Sequence, residues 1–192
     1  MSTEHSISCI SAASVMEHMP ADYEVFPIGI TRDGVWVEGT TDPVAGVALP
    51  EVPEGREVAL SINPTRKGLI FDVATGEELV HVDAVFPVLH GKYGEDGTVQ
   101  GLLELAGVPY VGPGVLASAC GMDKEYMKKL VAAEGIAITR EAILDGRSSL
   151  DDDERDYLGL PVFVKPANGG SSIGVSKVSD WADFDAAYTL AR

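Results

Sequence analysis

The sequence predicts an α/β fold that opens with a doubly wound, Rossmann-like domain, and three observations carry that prediction. Short apolar runs alternate with segments of helical periodicity along most of the chain. One run, Val82 to Leu89, is nearly continuous in apolar residues and ends in His90-Gly91. The stretch Asp96 to Ala106 behind it reads as a helix with Asp96 at its N-cap and Gly107 at its close, which makes a β-loop-α unit. Further on, Pro161-Val162-Phe163-Val164 reads as a buried strand ending in a charge, Lys165, and a second β-rich run, Ile173 to Val178, follows a glycine-rich loop.

From Ser6 to Met19 the residues Ile7, Ile10, Ala13, Val15 and Met16 are spaced for one helical face, behind Ser and Thr residues suited to capping. Tyr23 to Ile30 and Val35 to Val37 are strand-like, and the Asp-Gly pair of Thr31-Arg32-Asp33-Gly34 joins them as a hairpin. Gly39 to Gly55 is rich in Pro, Gly and acid and reads as a surface excursion. Glu57 to Ile62 and Gly68 to Val73 form two more strands around an Asn63-Pro64-Thr65 turn. A short strand at Val108 to Val111 leads through Gly112-Pro113-Gly114 into a small-residue stretch, Val115 to Gly121, and a helix from Met122 to Ala133 closed by Gly135. Ile136 to Leu144 is strand-like, Asp145 to Asp156 is acidic and solvated, and Trp181 to Ala191 is an amphipathic helix.

Composition narrows the function. A chain of 192 residues, 45% of them hydrophobic, fills a globular core. Thirty acidic against 14 basic residues leave a net charge of −16, which repels nucleic acid and anionic membrane. Any phosphate must therefore be captured by local lysines and backbone amides. Cys9 and Cys120 lie in apolar or small-residue contexts without Cys-x-x-Cys spacing, as buried free thiols of a reducing compartment do. No run of 18 apolar residues and no signal-like N-terminus is present, so a cytoplasmic protein without a membrane segment is expected.

The strand-loop-strand element from Lys165 to Gly174 is the leading candidate site. Gly169 and Gly170 permit positive φ and let main-chain N–H groups approach an anion, and Ser171 and Ser172 add hydroxyl donors. It is not a P-loop, because the lysine precedes the glycines and nothing helical starts before about Asp180. The same Gly-Gly-Ser-Ser run also fits a plain flexible hairpin turn. His90, Gly91, Glu95, Asp96 and Gly97 sit where a strand gives way to a helix, the place where ligands collect in doubly wound folds. A hydrogen-bonding structural role for His90, with Glu95-Asp96 complementing the helix dipole, fits equally. Asp151-Asp152-Asp153-Glu154 has no matching acids elsewhere and reads as exposed charge, so no metal ligand is assigned.

Several motifs occur together in order: Glu4-His5-Ser6-Ile7-Ser8, then Leu89-His90-Gly91-Lys92-Tyr93-Gly94-Glu95-Asp96-Gly97-Thr98-Val99-Gln100-Gly101, then Pro109-Tyr110-Val111-Gly112. Met122-Asp123-Lys124 and Val162-Phe163-Val164-Lys165-Pro166-Ala167 with Gly170-Ser171-Ser172-Ile173-Gly174 complete the set. Together they resemble the D-alanine:D-alanine ligases, ATP-grasp enzymes of peptidoglycan precursor synthesis, across essentially the whole chain. The resemblance implies a Rossmann-like substrate domain at 1–118 and the first, incomplete part of an ATP-grasp domain at 119–192. It implies that Lys124 and Lys165, with Gly170, Ser171 and Ser172, hold ATP. Glu4 would receive the ammonium of the first D-alanine, Ser171 would stand beside it, and His90 would lie near the developing acyl phosphate. In such ligases one D-alanine carboxylate attacks the γ-phosphoryl group and the amine of the second D-alanine then displaces phosphate, in a site that keeps water from the acyl phosphate. A homodimer is also implied. D-alanine:D-lactate ligation and a non-catalytic fragment paired with a second chain are alternatives.

Two departures accompany the resemblance. Family members open with a strand and a Gly-Gly-Arg-Ser-like turn before the glutamate, for which Met1-Ser2-Thr3 leaves no room, and they continue past Arg192 into the half carrying the Mg²⁺ ligands. The 192 residues alone are therefore expected to be catalytically dead, and marginal in stability or prone to associate through the gap.

Overall fold

The computed structural model describes residues 4–39 and 51–192, so most of the Gly39–Gly55 excursion, and the three residues before Glu4, lie outside the described residues. The chain divides into two compact units, Met1–Ala119 and Cys120–Arg192.

The first unit begins with α1 (His5–Glu17). The expected hairpin follows as β1 (Ile28–Ile30) and β2 (Trp36–Glu38), antiparallel, with Gly34 at φ 89° in the turn. Residues 23–27, expected as strand, carry no ladder. An antiparallel sheet of β3 (Val58–Leu60), β4 (Leu69–Asp72) and β5 (Glu78–His81) comes next. β5 was not foreseen, because its ends are charged and it contains no apolar run. It pairs with β4 through an irregularity at Ile70/Phe71. Helix α2 (Thr98–Ala106) lays Val99, Leu103 and Ala106, spaced i, i+4, i+7, against Val58, Leu60 and Ile70 of the sheet and against Val108. Burying each large side chain of this cluster contributes about 1.5–3 kcal/mol. The helix ends at Gly107, left-handed at φ 66°, as expected.

The expected strands at Val82–Leu89 and Val108–Val111 are corrected to a single parallel bridge, Val85 with Tyr110. Val85 N–H donates to Pro109 O at 2.9 Å and Val111 N–H donates to Val85 O at 3.0 Å. The next rungs of a parallel ladder would need N–H donors from residues 87 and 109, and both are prolines. The apolar run packs on the core instead, through Val82, Val85 and Leu89. The small-residue stretch is helical, as α3 (Val115–Met122).

In the second unit α4 (Lys124–Ala133) starts at Asp123, whose carboxylate accepts the Glu125 and Tyr126 N–H groups. Ile136–Leu144, expected as a strand, is irregular: Ile136 and Ile138 are exposed, and Lys128 holds the segment by donating to Thr139 O and Oγ1 and pairing with Glu141 at 2.9 Å. The acidic stretch is not merely solvated, for Asp152–Leu158 is helix α5. Asp151 caps it in a reciprocal box with Glu154, which Arg147 also grips through both carboxylate oxygens. Asp151→Ala is expected to lower the stability of the chain by about 1 kcal/mol, read as a fall in the thermal midpoint. The strands β6 (Val162–Val164) and β7 (Ser176–Val178) form an antiparallel hairpin, backed by α6 (Phe184–Ala191). β6 is not an interior strand, since Phe163 is 62% exposed and only its neighbours turn inward.

Cys9 and Cys120 are free but half-buried rather than buried, and burial raises the Cys9 thiol above its ordinary pKa. Among the described residues no helix is long and apolar enough to cross a membrane.

Candidate functional site

The predicted site residues fall into two groups, one in each unit. In the first unit Glu4 precedes α1 and is buried, and its carbonyl accepts both the Ser8 N–H at 3.0 Å and the Ser8 hydroxyl at 3.3 Å. Ser8 Oγ in turn accepts the backbone N–H of His90 at 2.8 Å, and Ser11 Oγ lies 2.9 Å from His90 Nε2. Ser8 and Ser11 share one stripe of α1, in line with Glu4 at its N-cap, at the spacing i, i+4 and i+7. His90 Nδ1 faces Glu95 Oε1 at 3.7 Å, while Glu95 Oε2 accepts the Gly91 N–H at 2.6 Å.

The loop from Leu89 to Gly97 is tightly built. Gly91, Tyr93 and Gly97 adopt positive φ, at 76°, 70° and 93°. Gly97, not Asp96, occupies the cap position of α2, yet the Asp96 carboxylate still accepts the Thr98 N–H at 3.0 Å and the Tyr93 N–H at 2.8 Å. Burial pushes the Asp96 carboxyl up, but the Tyr93 and Thr98 hydrogen bonds outweigh it and the net pKa is lowered. A carboxyl depressed on folding stabilises the fold above its unfolded pKa of about 3.9 and loses that contribution as pH falls through its lower folded value. The acid-induced fall in melting temperature below pH ~4 is therefore expected to be shallower in Asp96→Asn.

In the second unit Lys165 leaves β6 and the loop behind it meets the start of α4. Asp123 and Asn168 bridge antiparallel, and Lys124 N–H donates to Ala167 O at 3.1 Å. The Lys124 ammonium donates to Gly169 O at 2.6 Å and to Ala167 O at 3.4 Å. Burial first, and the charge of Lys165 second, hold the Lys124 pKa below the usual lysine range against the opposing pull of Asp123. Two cations that raise each other's energy on one surface are relieved by an anion. They line a cavity of about 310 Å³ together with Gly169, Gly170, Ser171 and Ser172.

Positive φ falls on Gly169, at 156°, as expected, and on Gly174, at 70°, but it also falls on two residues that are not glycine. Ser171 and Ser172 take φ 48° and 58° at the centre of a turn closed by Ile173 N–H to Gly170 O at 3.1 Å, and Gly170 has no positive φ. Each non-glycine residue so placed costs about 1–2 kcal/mol, the kind of strain that collects at ligand sites. Sequence reasoning named no role for Ser8 or Ser11. Their spacing from Glu4 was the available signal.

The family described as D-ala D-ala ligase N-terminus matches residues 1–113, and the one described as D-ala D-ala ligase C-terminus matches residues 128–192. The D-alanine–D-alanine ligase of Corynebacterium diphtheriae is 58% identical over 100% of this chain and 53% of its own length. That of Rhodococcus opacus is 57% identical over 100% and 55%. The chain thus spans about half the length of the curated relatives it matches. Among solved structures, the D-alanine-D-alanine ligase from Coxiella burnetii gives a TM-score of 0.83 at 30% identity, covering 99% of this chain and 57% of that one. The VanG D-Ala:D-Ser ligase from Enterococcus faecalis gives 0.77 at 35%, covering 99% and 56%.

Proposed function

The chain belongs to the D-alanine–D-alanine ligase family, and from that premise we propose that it contributes to an enzyme joining two D-alanines at the expense of ATP. Residues 1–118 serve as the substrate domain and 119–192 as the first part of the ATP-grasp domain. The observation that carries the reading is the convergence of Lys124 and Lys165 on one glycine-serine loop, in a chain whose net charge of −16 otherwise repels a nucleotide.

In this reading the two ammonium groups and the Ser171 and Ser172 hydroxyls hold the triphosphate, which supplies the phosphoryl group that activates a carboxylate. Gly170 keeps side chains away from it. Glu4 receives the ammonium of the first D-alanine, and His90 attends the activated carboxyl. Family chemistry uses Mg²⁺, but among the described residues no three His, Cys, Asp or Glu side chains group to hold a metal. The reaction belongs to peptidoglycan synthesis, hence to cell-wall biogenesis and cell shape, in the cytoplasm, with the enzyme as a homodimer.

The test is D-alanine-dependent release of phosphate from ATP, with the dipeptide identified by mass. The complete enzyme should form D-alanyl-D-alanine, whereas a polypeptide of these 192 residues alone should release no phosphate above background. Turnover by the 192 residues would overturn the second expectation, and a complete enzyme inert towards D-alanine would overturn the first. The similarity to the D-Ala:D-Ser ligase favours a second reading in which another D-amino acid, or D-lactate, is the second substrate. Product mass separates these.

A further inference from the structure

We propose that Ser11 is a positioning residue for His90, fixing its imidazole as the Nδ1–H tautomer. Two contacts at opposite edges of the ring carry the inference. Ser11 Oγ lies 2.9 Å from Nε2, and Glu95 Oε1 lies 3.7 Å from Nδ1. A neutral imidazole has one N–H and one lone pair, so the neighbours decide which nitrogen holds the proton. Glu95 can only accept while ionised, and it cannot swing away, because its other oxygen is tied to the Gly91 N–H at 2.6 Å. A lone pair on Nδ1 would face that carboxylate and be repelled, whereas an Nδ1–H is attracted. Nε2 then carries the lone pair, and the Ser11 hydroxyl, free to rotate its proton, donates to it.

The helix behind this contact is anchored independently. Ser8, one turn earlier, holds the His90 main-chain N–H at 2.8 Å, so the backbone of residue 90 is fixed by one serine and its ring by another. Ser11 acts through its contact with His90, so its influence on the reaction rests on the proposed role of His90.

The experiment reads the ring nitrogens of the 192-residue chain by long-range ¹H–¹⁵N correlation near pH 8, where an ordinary imidazole of pKa about 6.5 is neutral. The chain holds four histidines, and His90→Gln assigns the signal. The wild type should show His90 as Nδ1–H. Ser11→Ala should shift it towards the Nε2–H form that free imidazole side chains prefer, and Ser11→Thr should restore the wild-type pattern. Alanine favours helix over serine, so α1 is retained in the variant. An Nε2–H signal in the wild type, or an unchanged Nδ1–H signal in Ser11→Ala, overturns the proposal. In the complete enzyme Ser11→Ala should lower kcat by about fivefold, as loss of one hydrogen bond of about 1 kcal/mol implies, with KM for ATP little changed. A shifted tautomer with unchanged kcat would uphold Ser11 as positioning the ring and refute the catalytic reading of His90, so the two fail separately.

Discussion

Replacing Lys165 by alanine is expected to weaken binding of a non-hydrolysable ATP analogue by about 10- to 100-fold. A hydrogen bond to a charged group contributes about 1.5–3 kcal/mol, and about 1.4 kcal/mol is a factor of ten in affinity. Lys165 suits the test because its side chain is exposed and follows a strand rather than supporting one, so its loss removes charge without removing packing. Lys124→Ala should weaken the same ligand at least as much, but through two effects. Its ammonium also ties down Gly169 O and Ala167 O, so the loop loses a staple along with the charge. Lys165→Arg should recover part of the affinity, since it keeps the charge and changes the donor geometry. Titration calorimetry of the chain with Mg²⁺ present measures all three. Equal affinities for wild type and Lys165→Ala would remove Lys165 from the site.

What the sequence made legible was local. The β1–β2 hairpin could be read because Asp33-Gly34 sits between two apolar runs, and the candidate-site loop because strand, lysine and glycines are contiguous. β5 escaped because its partner across the sheet, not its own composition, makes it a strand. The shortened parallel pairing at Val85 was written in Pro87 and Pro109, but only the register of one against the other shows that both missing donors fall on neighbouring rungs. The left-handed serines escaped for the opposite reason. Sequence logic gives positive φ to glycine, whereas here the turn is strained onto Ser171 and Ser172. Ser8 and Ser11 look like ordinary helix-surface serines until the 89–97 loop is placed against them.

That loop makes the second large prediction. A methyl group added at Gly94 would stand 2.5 Å from both the Cβ and the carbonyl oxygen of Leu89, and 2.8 Å from its carbonyl carbon. These are main-chain atoms and the first side-chain atom, so no flexible tip can move aside. Gly94→Ala is therefore expected to destabilise the chain by about 1–3 kcal/mol through overpacking. Gly94 is not among the positive-φ glycines, so the effect is steric rather than conformational. Relief requires residues 89–94 to move apart, which pulls Gly94 O from the buried Gln100 amide that donates to it at 2.9 Å and shifts His90 from Ser8 and Ser11. Gly101→Ala is the control: it lies in α2 with open space at its Cβ and should stabilise by about 0.5–1 kcal/mol. Denaturant unfolding separates the two substitutions by sign. If Gly94→Ala instead matched the wild type, the loop would have room to relax, and His90 would owe its place to the α1 serines alone.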